Sequence, residues 1–332
     1  MNLIIPMAGM GKRLRPHTLI TPKPLFKIAG KPIVERLVKD IAKLLNIKFD
    51  KIGFVIGNFP DSIRKELIDL AHAIDAQPEI FIQDKPLGTA DAVFRAADIL
   101  NGEVIIAFAD TLFEADFELD PHADAVIWTK KVDDPSKYGV VKTNEKGYIT
   151  DFVEKPATFV SDQAIIGIYY FKRAEELLKK IEFIISNDIK VKGEYQLTDA
   201  LKLMMDDGYL FVAQSVKEWY DCGNKDLVIK TTAAVLKKEG IFIGSNFTKQ
   251  NSLLLGNYFI GDNVFLKNVI ILDNVVIENN VRIENAILEN VIIQENASVR
   301  SILLKNSIIG ANTNVMGNIN MLNLGAYSSI EL

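Results

Sequence analysis

Residues 2–14 read Asn2-Leu3-Ile4-Ile5-Pro6-Met7-Ala8-Gly9-Met10-Gly11-Lys12-Arg13-Leu14. A short apolar run stops at Pro6 and opens into a turn with two glycines, followed by two cations. Open parallel α/β sheets begin this way, because glycine lets backbone N–H groups approach phosphate oxygens at the carboxyl end of a buried strand. Ala8, Gly9 and Gly11 are thus candidate phosphate-binding positions, and Arg13 can add a bidentate, permanently charged contact. No Gly-Lys-Ser/Thr follows, so this is not a P-loop. The third glycine of a dinucleotide fingerprint is also missing. The plain alternative is a tight turn with a surface arginine. With no basic region ahead of it, the stretch reads as a buried first strand rather than a secretory leader.

Outward from this stretch, strand and helix patterns alternate. Residues 33–45 place Ile33, Leu37, Ile41 and Leu44 on one helical face, and residues 62–74 do the same with Ile63, Leu67, Leu70 and Ile74. Between and after them, residues 52–56, 79–83 and 103–109 read as strands, and residues 89–100 as a helix. From residue 124 strands dominate, with helices returning at 172–184, 195–206 and 225–238. The expectation is an α/β fold, a Rossmann-like mixed sheet flanked by helices.

Composition then changes. All 11 prolines lie between Pro6 and Pro156, whereas asparagine rises from 7 in residues 1–240 to 17 in residues 241–332. The shift sets two domains, 1–240 and 241–332, in keeping with a length of 332 residues at ~150 per domain. In the tail, residues 260–265, 266–271, 272–277 and 278–283 are consecutive hexads in which Val269, Val275 and Val281 repeat. One strand plus one turn per hexad suits a parallel β-helix, because Asn tolerates the left-handed conformation at the turn. Three hexads per coil give roughly four coils over residues 252–332. An irregular Asn-rich β region is the alternative, and the hexad register slips between 283 and 309.

Composition excludes several function classes. A net charge of −5 offers no basic excess for a nucleic acid polymer or an anionic membrane surface. No apolar run approaches the ~18 residues that span a bilayer. A single cysteine, Cys222, rules out a disulfide framework and points to the reducing cytoplasm. Histidine occurs only at 17, 72 and 122, so His-based metal or base chemistry is disfavoured.

Ten residues after Arg13 comes Lys23, in the run Thr21-Pro22-Lys23-Pro24-Leu25, where two prolines hold it extended for presentation to a phosphate. A rigid surface turn is the alternative. The run G-x-G-K-R-L-x-P … T-P-K-P-L resembles the signature of the sugar-1-phosphate nucleotidylyltransferases. Further motifs follow in order: Gln83-Asp84-Lys85-Pro86-Leu87-Gly88-Thr89-Ala90, Phe108-Ala109-Asp110, Tyr138-Gly139, Glu154-Lys155-Pro156, Gly167-Ile168-Tyr169 and Trp219-Tyr220-Asp221-Cys222-Gly223. Ala109 stands where the family usually has Gly, and Asn224 where it has Thr. The tail resembles the left-handed β-helix behind several members.

The resemblance implies that an NTP and a sugar-1-phosphate give an NDP-sugar and pyrophosphate. A phosphate monoester (second pKa about 6) is already ionised near neutrality, so the attack needs no general base, which fits the scarcity of histidine. It needs positioning and charge neutralisation. Asp110 and Asp221 are the implied Mg²⁺ ligands, with Arg13 on the leaving pyrophosphate, Lys23 on the α-phosphate and Lys155 on the sugar phosphate. Gln83 would read the base, with a slight lean to uracil or thymine, beside Gly88 and Thr89. Glu154 would accept from sugar hydroxyls, while Gly139 and Gly167 leave room for the ring and Ile165 and Ile166 wall it. The runner-up is a regulatory or scaffold relative that binds without turnover. A second alternative, an acyltransferase tail, lacks the histidine that such chemistry usually employs. The tail is expected to be structural, or to join copies of the chain into a homo-oligomer.

Overall fold

The computed structural model describes residues 1–9, 11–116 and 119–317. The chain divides into two compact units, Met1–Lys27 with Lys31–Asn224, and Ile28–Gly30 with Lys225–Leu332.

The first unit contains β1 (Asn2–Pro6), α1 (Ile33–Leu45), β2 (Lys51–Ile56), α2 (Asp61–His72), β3 (Gln77–Ile82), α3 (Thr89–Phe94), β4 (Val104–Ala107), β5 (Thr111–Glu114), β6 (Ala125–Lys131), β7 (Gly139–Thr143), β8 (Ile149–Glu154), β9 (Gln163–Phe171), α4 (Ala174–Ser186), α5 (Leu197–Asp206), β10 (Phe211–Ser215) and β11 (Glu218–Asp221). The sheet runs β8-β7-β9-β4-β1-β2-β3, and β6 pairs both β9 and β10. β4, β1, β2 and β3 are parallel, while β9 lies antiparallel to β4. β1 is central, and Leu3, Ile4 and Ile5 are sealed on both faces, which is why it reads as a continuous apolar run rather than an alternating one.

The chain leaves β1 on the β2 side and later crosses back to place β4 on the other. That reversal opens a crevice at the carboxyl end of β1, the place where open α/β sheets bind ligands. The helix expected over 89–100 stops at Phe94 and resumes only as a 3₁₀ turn at Ala97–Ile99.

The second unit opens with α6 (Lys225–Glu239), which starts well ahead of the composition boundary at 240. Behind it an all-parallel sheet curls into a β-helix. Its corners are Asn246, Asn263, Asn280, Asn296 and Asn312; Asn251, Asn268, Asn285 and Ser301; and Gly256, Asn274, Asn290 and Asn306, all at positive φ. Asn is the one common side chain besides Gly that enters this region at low cost. Amides of stacked corners bond in ladders: Asn246 Nδ2 to Asn263 Oδ1 at 3.0 Å, Asn263 to Asn280 at 3.0 Å, and Asn280 to Asn296 at 3.1 Å.

Asparagine corners thus explain the tail's composition, but the hexad count needs correcting. Equivalent corners are 17, 17 and 16 residues apart, because some sides have five residues rather than six. The apparent slip after residue 283 is a change to shorter sides, with the corners at 285, 290, 296, 301 and 306 unbroken. Residues 318–332, counted in the expected four coils, lie outside the described residues. Inside the solenoid Leu266, Ile283 and Val299 stack, as do Ile271 and Leu288.

Asn280 combines an αL backbone at φ 59° with ladder bonds on both sides. Asn280→Ala should destabilise the second unit by about 1–2 kcal/mol from the backbone alone, plus the lost amide bonds. Asn280→Gly loses only the bonds and should be the milder change. Equal losses in thermal or urea unfolding of the two variants would show that the left-handed corner carries no strain.

Candidate active site

The carboxyl ends of the parallel strands assemble the site. The turn after β1 brings Ala8, Gly9, Gly11 and Arg13, the end of β3 brings Gln83, and the loop after β4 brings Asp110. β11 runs antiparallel to β5 with Asp221 opposite Thr111, so the second aspartate arrives beside the first. Cys222 N donates to Asp110 O at 3.0 Å, and Trp219 Nε1 donates to Thr111 Oγ1 at 2.6 Å, fixing the two segments together.

Lys23 is not extended as its flanking prolines suggested. It opens a 3₁₀ turn, Lys23–Leu25, with Phe26 N donating to its carbonyl at 3.0 Å. The turn buries the side chain to 8% exposure and delivers Nζ to Asp110 Oδ2 at 2.9 Å. Gly11 lets this happen: it is left-handed at φ 54°, and a Cβ there would lie 2.9 Å from Lys23 Cβ.

Gly223 plays a similar part on the other side. A Cβ on it would meet Asp221 Oδ1 at 2.8 Å and Arg13 Nη2 at 3.1 Å. Arg13 and Asp221 therefore close around a residue with no side chain. Burial raises the Asp221 pKa, the Asp110 carboxylate raises it further, and Lys23 and Arg13 pull it down. Tyr138 is also raised, by burial and then by Asp221; its ring meets Trp219 edge-on at 4.9 Å.

Two cavities adjoin here. One, of about 400 Å³, is lined by Ala8, Gly9, Gly11, Arg13, Lys23, Gln83, Gly88, Thr89 and Asp110 among others. The other, of about 310 Å³, takes in Gly139, Glu154, Lys155, Ile165, Ile166, Gly167 and Asp221. Arg13, Thr89, Phe108, Asp110 and Glu194 belong to both walls. Every residue singled out from sequence faces one cavity or the other.

Several have structural duties besides. Gly88 sits at φ 116°, and its Cβ would fall 2.3 Å from the Tyr195 carbonyl oxygen, so glycine is required there by the Tyr195 backbone. Thr89 Oγ1 accepts from Leu197 N at 2.9 Å, tying the same loop. Gly167, at φ 85°, marks the register shift in β9 and accepts from Phe108 N at 2.9 Å, which sets the approach to Asp110. Lys155 is half exposed, holds a φ of 43° and pairs with Glu154 at 3.3 Å. Tyr169, buried beneath the second cavity, is raised by burial and by Glu154 and Asp110.

Sequence reading passed over Glu194, Gln196 and Thr198, which line the second cavity from the approach to α5. Thr198 Oγ1 is buried and makes no hydrogen bond among the described residues. Contacts with residues 87–90, more than a hundred residues away in the chain, bring this loop to the site, among them Tyr195 N to Leu87 O and Ala90 N to Tyr195 O, and local sequence carries no signal of that.

Two carboxylates that repel one another, beside an open cavity, form a hard oxygen donor set. Among the described residues no cluster of three or more His, Cys, Asp or Glu side chains is found. Asp110 and Asp221 are the residues here that could hold a hard divalent cation, together with substrate phosphates and waters.

A nucleotidyl transferase family model matches residues 3–238, and the chain belongs to this family. Among its relatives is the bifunctional protein GlmU of Methanococcus vannielii, 29% identical over 266 residues, covering 78% of this chain and 61% of the relative. Another is the mannose-1-phosphate guanylyltransferase catalytic subunit beta of Drosophila melanogaster, 32% identical over 220 residues, covering 62% of this chain and 58% of the relative. The chain thus spans about three fifths of the length of these relatives. The fold is also that of apo UDP-glucose pyrophosphorylase, at a TM-score of 0.60, 23% identity, and coverage of 72% of this chain and 99% of that one.

The two aspartates should respond oppositely to neutralisation. Folding raises the Asp221 pKa, so its ionised form weighs against the fold; this penalty is absent at low pH and grows as pH rises through the carboxylate range. Asp221→Asn should therefore keep or raise the melting temperature at neutral pH, with a benefit that shrinks in acid. Asp110→Asn strips the buried Lys23 ammonium of its partner and should lower it. Differential scanning fluorimetry between about pH 4 and pH 8, spanning the carboxylate range, checks both signs. A drop for Asp221→Asn at neutral pH would contradict the assignment.

Proposed function

We propose that this protein is a sugar-1-phosphate nucleotidyltransferase, converting an NTP and a sugar-1-phosphate into an NDP-sugar and pyrophosphate. The observation that carries the reading is the pair of adjoining cavities with Arg13 and Asp110 in their common wall. The NTP occupies the cavity along the glycine turn and the sugar phosphate the other, so the α-phosphorus faces the attacking phosphate oxygen at the junction. A new P–O bond forms as the bond to the β-phosphate breaks. Pyrophosphate leaves with the electron pair. Arg13 and the glycine-turn N–H groups hold the β- and γ-phosphates. Lys23 offsets charge on the α-phosphate, and Lys155 orients the sugar phosphate. Glu154 accepts from sugar hydroxyls, and Thr198 Oγ1 is a free partner in the same cavity. Bound between Asp110 and Asp221, Mg²⁺ would neutralise phosphate charge and polarise the α-phosphorus.

The geometry sharpens the role of Gln83. Its Nε2 donates to Asp91 Oδ2 at 2.8 Å and to Gly88 O at 3.1 Å. Both partners are acceptors, so the amide cannot be turned over, and the carbonyl oxygen is left for the base. That oxygen suits the N3–H of uracil or thymine; cytosine presents an acceptor there. UTP or dTTP is the favoured substrate.

No helix among the described residues is long and apolar enough to cross a membrane. The single cysteine, Cys222, is buried and in no disulfide, which suits a reducing cytoplasm.

Pyrophosphate release across four NTPs and several sugar phosphates with Mg²⁺ tests the reading, and no turnover with any pair would refute it. Asp110→Asn and Asp221→Asn should each lower kcat by about a hundredfold or more, at ~1.4 kcal/mol per tenfold. Activity close to wild type in both would remove them from the phosphate site.

Gln83→Ala should shrink the UTP-to-CTP ratio in kcat/KM by about ten- to a hundredfold, given ~1–3 kcal/mol for an acceptor facing the wrong edge. Because Arg13 and Lys23 still hold the phosphates, kcat should fall less than kcat/KM. Unchanged ratios would assign base reading to the backbone around Gly88.

A further inference from the structure

Gln83 is anchored by a carboxylate that lines neither cavity. Its Nε2 donates to Asp91 Oδ2 at 2.8 Å, and Arg95 Nη2 donates to Asp91 Oδ1 at 2.5 Å. Asp91 is only 2% exposed, whereas the Arg95 side chain is 39% exposed. An i,i+4 ion pair on a solvated helix face adds little to stability. This one also takes a carboxylate out of water, which is tolerated only where donors meet both oxygens. Arg95 meets one of them and Gln83 the other.

The direction of these bonds sets what Gln83 presents to a ligand. A carboxylate only accepts, so Oδ2 calls for a donor and the amide answers with its nitrogen. The second proton on that nitrogen goes to Gly88 O at 3.1 Å. That carbonyl is already shared, because Ala92 N donates to it at 3.1 Å. Gly88 O is therefore the weaker hold, and Asp91 is the side chain that decides which end of the amide turns to the cavity.

We propose that Asp91 is a positioning residue for base selection, and that Arg95 fixes its carboxylate in that role. The chain Arg95–Asp91–Gln83 leaves an acceptor for the N3–H of uracil or thymine and turns cytosine away. This rests on the reading of Gln83 given above and adds that the preference is set outside the cavity, by a group that touches no nucleotide. Asp91→Asn keeps size and shape but introduces a donor. Arg95 holds the new amide by its oxygen, so its nitrogen faces Gln83. Gln83 relieves the clash of donors by turning over, which points Nε2 at the base, where it suits cytosine N3. Gly88 O opposes the turn, so the preference is lost rather than inverted. Adding Arg95→Glu supplies an acceptor at i+4, draws the nitrogen of the new amide away from Gln83 and restores the original order.

Calorimetric titration of the full chain with UTP and with CTP, each with Mg²⁺, tests this without requiring turnover. The wild type should favour UTP. Asp91→Asn should weaken UTP and leave CTP unchanged or tighter, shrinking the ratio of dissociation constants about tenfold or more. In a Gln83→Ala background the same change should move the ratio less than about twofold, because Asp91 acts through Gln83. Adding Arg95→Glu to Asp91→Asn should recover the UTP preference. If Asp91→Asn does not fold, Asp91→Ala leaves Gly88 O as the remaining acceptor and should bring a smaller loss of the same sign. A merely structural role would weaken both nucleotides alike. That outcome, an undiminished shift in the Gln83→Ala background, or no recovery with Arg95→Glu would each overturn the proposal. A shift in Gln83→Ala without one at Asp91 would overturn it and leave base reading with Gln83. A shift in neither, or no binding of either nucleotide, would overturn both.

Discussion

The ion pair between the buried Lys23 and the half-exposed Asp110, at 2.9 Å, is the contact on which the candidate site rests. It joins the loop after β1 to the loop after β4, across the crevice where the connections of the parallel sheet diverge. An ammonium with only 8% of its side chain exposed is tolerated because a carboxylate meets it. Asp221, brought alongside by the β5–β11 pairing, adds a second negative charge that Lys23 and Arg13 partly offset. Lys23 and Arg13 are thus set against Asp110 and Asp221 beside the cavity. An incoming polyphosphate adds negative charge there and calls for further positive charge, which is the electrostatic demand that a hard divalent cation would meet.

Glycines around this cluster serve packing first. Gly11 admits Lys23, Gly223 admits Arg13 and Asp221, and Gly88 admits the Tyr195 backbone. Each lets a charged group or a distant loop come closer than a Cβ would allow. Close approach to a ligand is then a consequence, because the same absence of side chain leaves the cavity open.

The β-helix solves a different problem by a different rule. A solenoid of short coils has no room for long turns, so the chain reverses through single left-handed residues. Asparagine fills that role, and its amide then bonds the equivalent residue on the next coil.

The sequence by itself determined the α/β class from the sealed run of β1, the glycine turn after it, the aspartate at the end of β4 and the repetitive Asn-rich tail. These are local signals: burial on both faces gives continuous apolar runs, and each coil repeats its own turn chemistry. It did not determine the turn that buries Lys23, because flanking prolines permit both an extended strand and a 3₁₀ turn, and the partner of its ammonium, Asp110, lies 87 residues away. Nor did it determine which face of Gln83 is free, since Asp91 and Gly88 decide that by both being acceptors. The loop of Glu194, Gln196 and Thr198 reached the site through its contacts with residues 87–90, and the five-residue sides of the tail emerged only from the corners themselves. In each case tertiary structure decided the outcome, because the energy that fixes the local conformation comes from a partner distant in the chain.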